Sequence, residues 1–454
     1  MSEENKIETE THSLANKAAG KKTYYRWAVM ALIFIVYTIA YADRANLGVA
    51  LPYIKQEFGL SNTEAGGLVS LLFFGYAFSQ IPAGYIYSKL KVRSVFPIAM
   101  ILTSVFTGLQ GMTNSVFLLK ICRVGLGICE GPLPIGCLQT INHWFPPKEK
   151  GTATGIYLAA SKFGAVIAPP IGVAIMSYYG GWREIFYFFA IPGIILAVIW
   201  YFMVHNTPAE SKMVSPAELE YIRSEATVVK ETVKPVKPAY NLAWLDKLIR
   251  AKKVVLVDSN AGVFRSWNII GNALGYFCMV GIVNVIMSWI PSYLVTVKGF
   301  ASMKMGFLAA APFVGAVAGN FLGGLISDRV LNKRRKPLMM FTALATSFMM
   351  YSLVYAPNDA TLLGLLLLLA GIVFSLGYSS FSVYPMGATT KDAYPIAYGV
   401  VNMGGQLGGA IAPLVVGIIL DAYSWNAVFM FLAAASVLSF FIVATIDEPI
   451  NEIN

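Results

Sequence analysis

Charged residues are scarce. Of 454 residues only 13% are Asp, Glu, Lys or Arg, against 57% hydrophobic, where a soluble protein carries about a quarter charged residues. That composition excludes a soluble globular domain and predicts a polytopic membrane protein, whose fold problem is the packing of helices in lipid. Cysteine is rare as well. The four residues Cys122, Cys129, Cys137 and Cys278 all lie in apolar runs and read as small buried hydrophobes, not as a disulfide framework. Residues 1–25 lack a short apolar core ending in a cleavage site, so no signal peptide is expected and the first long apolar segment directs insertion. There is no G-x-x-x-x-G-K-[ST] phosphate loop, which leaves ATP-driven work unsupported. No metal-ligand cluster and no nucleophile–base signature is visible, so neither an enzyme nor a cofactor or metal is expected. No N-x-[ST] acceptor falls in a predicted external loop, which favours a bacterial inner membrane over a glycosylated one.

Long apolar runs are abundant. Stretches of about 18 or more apolar residues mark membrane helices, and twelve are predicted: roughly 27–50, 65–88, 94–112, 115–142, 152–179, 184–204, 267–295, 303–327, 337–356, 360–385, 395–420 and 426–446. The expected organisation is an N-terminal six-helix bundle with a polar tail (1–204), a charged linker (205–262) and a C-terminal six-helix bundle (263–454). Within the linker, SPAELEYIRSE predicts a short surface helix, with Ser215 as N-cap, Pro216 at the first position and Glu218 completing a capping box. VKPVKPAY after it reads as extended. The net charge of +10 could suggest nucleic acid, but 26 of the 34 Lys and Arg fall in the N-terminal tail and the even-numbered loops. That asymmetry is the positive-inside pattern. It places both termini in the cytoplasm and makes the lipid bilayer, not nucleic acid, the partner.

The halves repeat. Gly75 and Gly84 in FGYAFSQIPAGYIYSK are matched by Gly315 and Gly324 in VGAVAGNFLGGLISDR, and Pro170…Trp182 by Pro413…Trp425. Six helices per half is an even number, so the two repeats share one orientation, as in transporters built from parallel repeats about an axis along the membrane normal.

Four charges fall at membrane depth, where each costs at least a few kcal/mol. Asp43 and Arg44 interrupt the first apolar segment. Arg123 and Glu130, seven residues apart, lie on one face of the fourth helix. Together they are formally neutral. An ion-pair network held for structure alone and a proton-coupling site both fit this pattern. An acid here can take a proton, and an arginine offers a planar fork to a carboxylate.

These residues resemble a known family. Tyr41-Ala42-Asp43-Arg44-Ala45-Asn46, the run from Arg123 to Pro132, Asn142-His143-Trp144-Phe145-Pro146 and PAELEYIR are similar to the anion:cation symporters of the major facilitator superfamily, and most of all to its bacterial D-galactonate and hexuronate (sugar acid):proton symporters. The resemblance covers nearly the whole chain. It implies an all-α fold of twelve transmembrane helices in two pseudo-symmetric six-helix bundles around a central cavity, working by alternating access. One marker departs: the loop after helix 8 keeps Asp328-Arg329, whereas Ser88 stands where the family has Asp after helix 2.

The resemblance makes Asp43 and Glu130 the proton carriers, Arg123 the coupling residue between them and Arg44 the ligand of a substrate carboxylate. It places Tyr41, Tyr76 and Asn402 among polyol-binding groups; Tyr276 and Ser380 are candidate contributors from the C-terminal half. Helix 5 departs from the sugar-acid pattern. Ser161 stands where a binding Gln is expected, and Lys162 follows near mid-membrane. Lys162 could snorkel, pair with Glu130, or add a second cation that favours a dianion. Lys120 near an outer helix end reads as a snorkelling residue, and His143 as a surface residue. The expected activity is proton-coupled uptake of a small organic anion, first a sugar acid (aldonate, uronate or aldarate), by a monomer in the inner membrane. The alternatives are an aromatic or dicarboxylic acid as substrate, an anion exchanger, and more remotely a sensor that binds an anion without moving it.

Overall fold

A computed structural model describes residues 23–228, 243–390 and 392–450; the VKPVKPAY stretch and the N-terminal tail lie outside them. Six spans come first, made of seven helices: α1 (Tyr25–Phe58), α2 (Asn62–Lys89), α3 (Val92–Met112), the pair α4 (Val116–Glu130) and α5 (Pro132–Trp144), α6 (Pro147–Tyr179) and α7 (Arg183–Met203). After α8 (Pro216–Val228) the second set follows: α9 (Trp267–Thr296), α10 (Ser302–Leu325), α11 (Lys336–Ser352), α12 (Ala360–Leu376), α13 (Tyr394–Ala422) and α14 (Trp425–Thr445). Ten of the helices are long and apolar enough to cross a membrane as they stand. With α2 and the α4–α5 pair they make twelve spans in two sets of six, as expected from the sequence.

The fourth span departs from the single helix read from the sequence. It breaks at Gly131, and the cause is Pro132, which has no N–H to return to Ile128 and whose ring crowds the preceding turn. Gln80 Nε2 donates to the Gly131 carbonyl at the break at 3.3 Å. Glu130 is therefore the last residue before a break in the helix.

The repeated glycines do equivalent work. A Cβ on Gly75 of α2 would meet the Val124 carbonyl of α4 at 2.5 Å, and one on Gly315 of α10 would meet the Leu368 carbonyl of α12 at 2.0 Å. Only glycine permits either helix crossing. Their partners Gly84 and Gly324 have open space where a Cβ would stand, so half of each repeated motif is packing and half is not.

The two halves join at the end of the molecule remote from Tyr25. There the Asp421 carboxylate accepts the backbone N–H groups of Asn62 and Thr63, each at 2.8 Å, and Tyr53 bonds to Ser302 at 3.0 Å. Glycine again brings backbones together, with an ideal Cβ on Gly48 2.6 Å from the Met287 carbonyl and one on Gly66 2.5 Å from the Pro413 carbonyl.

At the Tyr25 end, α8 is bolted to the first half. Ser215 caps it, accepting from the Glu218 N–H at 3.2 Å. The capping box is only half made, because Glu218 does not turn back to Ser215. Its carboxylate accepts from Thr23 Oγ1 (2.6 Å), Tyr25 N (3.0 Å) and Arg26 Nη1 (2.7 Å), satisfying the open N–H groups at the start of α1. A matching carboxylate serves the second half. Glu448, 2% exposed, accepts the N–H groups of Arg335 (3.0 Å) and Lys336 (2.6 Å) at the start of α11.

Candidate functional site

Successive residues of a helix point about 100° apart, so Asp43 and Arg44 leave α1 in different directions. Arg44 faces a cavity between the halves. Asp43 points into the first half, where Glu130 and Arg123 are its charged neighbours and Thr107 of α3 lies beside it. The adjacent pair in the sequence is therefore not an ion pair.

The partner of Arg44 is Glu130. Arg44 Nε donates to Glu130 Oε2 at 2.6 Å, with the two side chains 5% and 1% exposed. The guanidinium is held between two aromatic faces, 4.7 Å from the Tyr41 ring centre and 4.3 Å from that of Tyr76, so two of the expected binding residues converge on a third. Arg123 is 1% exposed and donates from Nε to the Leu68 carbonyl at 3.2 Å, with Glu130, Asp43 and Arg44 as charged neighbours.

Several buried polar atoms here have no hydrogen-bond partner among the described residues: Asp43 Oδ1, Glu130 Oε1, Arg123 Nη1 and both side-chain heteroatoms of Asn46. Asn46 lies one turn from Asp43 on the same face of α1. Leaving such atoms bare costs about 1–3 kcal/mol each, so the cluster calls for water or a change of protonation.

The cavity is lined by Tyr41, Arg44, Ser161 and Lys162 from the first half and by Asn284, Tyr378 and Gln406 from the second, with a volume of about 40 Å³. That is room for a water or two. Four of the expected residues line it. Tyr76 stands behind Arg44, and Tyr276 stands behind Tyr378, their ring centres 5.1 Å apart. Ser380 is buried with an unpartnered hydroxyl and does not line the cavity. Asn402 does not line it either; Gln406, one turn further along α13, does. Sequence reasoning also passed over Asn284 and Tyr378. An intramembrane amide was the available signal for Asn284 and Gln406, while nothing marked Tyr378 among many tyrosines. Lys162 reaches the cavity from α6 and lies with Nζ 4.7 Å from the Tyr378 ring centre. It does not pair with Glu130. His143 is exposed, as expected.

The profile of the Major Facilitator Superfamily matches residues 33–410 and, in a second match, 305–452. The chain is 28% identical over 438 residues to a probable galactarate/D-glucarate transporter of Escherichia coli K12, covering 92% of this chain and 94% of that one. It is 29% identical over 440 residues to a D-galactonate transporter of Escherichia coli O6:H1, covering 92% and 95%. Among solved structures, a D-xylose-proton symporter superposes with a TM-score of 0.69 at 16% identity over 94% of this chain and 98% of that one. A bacterial homologue of the human lysosomal transporter Spinster, inward-facing and occupied, gives 0.71 at 17% over 93% and 96%. The twelve spans, the paired six-helix sets and these matches agree: the chain is a transporter, not an enzyme, and it belongs to the major facilitator superfamily.

Proposed function

We propose that the chain is a symporter that imports a sugar acid together with protons across a bacterial inner membrane, both termini being cytoplasmic. The observation that carries this reading is the Arg44–Glu130 pair at the wall of the cavity. Arg44 is a carboxylate-binding cation already occupied by an internal carboxylate, and a substrate carboxylate arriving in the cavity competes for it. Protonation of Glu130 frees Arg44; occupation of Arg44 by the substrate leaves Glu130 readier to take a proton. Glu130 and Asp43 are charged neighbours of each other, and Arg123 is the counter-charge that both acids share. The similarity to galactarate, D-glucarate and D-galactonate transporters supports a sugar acid, whose hydroxyls suit Tyr41, Asn284 and Gln406. The concentration of Lys and Arg in the tail and even loops supports a cytoplasmic Tyr25 end, in which case the joined end closes the cavity from outside. The alternative of anion exchange is an outcome of the same test. Purified protein in proteoliposomes should accumulate a labelled sugar acid when a pH gradient, acid outside, is imposed. Asp43→Asn should abolish accumulation while retaining substrate counterflow. Accumulation by Asp43→Asn equal to wild type would remove Asp43 from the coupling, and exchange without any response to the gradient would make the protein an exchanger.

A further inference from the structure

We propose that Lys162 is a second carboxylate-binding position, and that the substrate is a sugar diacid held by Arg44 at one end and Lys162 at the other. This rests on the sugar-acid reading above and deepens it. The first argument is charge. Asp43 and Glu130 offset Arg44 and Arg123, so Lys162 is the cation of the cavity left without a counter-ion. Among the described residues no carboxylate lies within ion-pair distance of it, and the acid that the sequence offered it, Glu130, is taken by Arg44. A bare ammonium at membrane depth is costly and marks an anion site. A monoanion would neutralise the resting set. A dianion overshoots by one charge and is balanced when one of the two buried acids takes up a proton, which ties the second carboxylate to proton uptake.

The second argument is placement. Lys162 and Arg44 line the same cavity from helices locked against each other. A Cβ on Gly164 of α6 would stand 2.3 Å from the Thr38 carbonyl of α1, so the spacing of the two cations is set by backbone contact and not by flexible packing. The ammonium rests on the face of Tyr378. That cation–π contact is weaker than a charge-assisted hydrogen bond, so an arriving carboxylate displaces it. Tyr378 belongs to the second half, and a cavity of about 40 Å³ cannot hold a six-carbon acid until this contact parts. Taking Lys162 from Tyr378 thus links substrate binding to separation of the halves at the cavity.

The test compares galactarate with D-galactonate, which differ in having a carboxylate or a hydroxymethyl group at one end. The full chain is assayed in proteoliposomes as wild type, Lys162→Met and Lys162→Arg. Wild type should prefer galactarate at least tenfold in kcat/KM. Lys162→Met should collapse that preference by roughly 10- to 100-fold, the worth of a charge-assisted hydrogen bond, and Lys162→Arg should restore most of it. A preserved preference in Lys162→Met, or equal loss of both acids with both variants, overturns the proposal. So does a wild type that takes D-galactonate as well as galactarate, a result that needs no variant to fold. Uptake of neither acid by folded wild type overturns the sugar-acid reading itself.

Discussion

Glu130→Gln should bind substrate more tightly than wild type while losing the ability to concentrate it. Glu130 uses only the Nε side of the Arg44 guanidinium, at 2.6 Å, and a substrate carboxylate approaching the remaining N–H groups meets the Glu130 charge about 5–6 Å away. At an effective dielectric of ~20, two like charges at that separation repel by about 3 kcal/mol. Removing the charge while keeping the shape lifts that penalty, and affinity should rise by one to two powers of ten. The Tyr41 and Tyr76 faces that hold Arg44 in place are untouched by the substitution. In wild type the same gain is reached by protonating Glu130, so affinity should rise as pH falls. In Glu130→Gln it should be high at every pH. Equilibrium binding of labelled galactarate to detergent-purified protein at pH 7.5 and pH 5.5 measures both effects, with monodisperse elution as the check on folding. A folded Glu130→Gln that binds more weakly than wild type at pH 7.5 would refute the competition for Arg44 and make the pair a structural brace.

Three further substitutions separate packing from sequence pattern and a buried carboxyl outside the spans from the cavity site. Gly315→Ala places a methyl 2.0 Å from the Leu368 backbone carbonyl, whereas Gly324→Ala meets nothing; thermal unfolding in detergent should show a loss of about 1–3 kcal/mol for the first and no loss for the second, and equal effects would contradict the α10–α12 contact. Burial pushes the Glu448 carboxyl from its ordinary 4.5 up to about 7, against the Arg335 and Lys336 N–H groups that pull it down. Its folded-state value is raised, so its stabilising contribution is complete below about pH 4.5 and is lost as pH rises through about 7. By the 1.36 kcal/mol of each pKa unit the loss is about 3 kcal/mol at most, and the melting temperature of wild type relative to Glu448→Gln should fall between pH 5 and pH 7.5. A flat difference over that range would show that Glu448 is not buried as an acid.

Much of the fold was legible because lipid makes it so. A span needs some twenty apolar residues whatever its neighbours are, and the repeat of Gly75 in Gly315 reports an equivalent helix crossing in each half. What was not legible was the fine division of labour. Gly75 and Gly84 look alike in the sequence and differ wholly in surroundings, since the facing helix decides which glycine is needed. The fourth span carried its own break signal in Gly131-Pro132, but a hydropathy run passes over a proline without registering it. On α13, Asn402 and Gln406 are both amides on one helical face, and only the depth of the cavity, a property of two halves together, selects Gln406.

The pairing of the charges teaches most about where sequence reasoning stops. Adjacency made Asp43 and Arg44 look like one feature, yet a helix turns neighbours about 100° apart and sends one toward the cavity and the other into the first half. The residue that unites them is Glu130, which grips Arg44 directly and is itself a charged neighbour of Asp43, with Arg123 beside both acids. In a low-dielectric interior this order matters. Arg44 lines the cavity and Asp43 does not, so the influence of an anion on the more remote acid should pass through Glu130. Neutralising Arg123 should therefore remove the counter-charge that the two acids share while leaving Arg44 able to bind. Removing Arg44 should silence both acids toward the substrate, because the only group that meets both the anion and the chain of charges behind it is then gone.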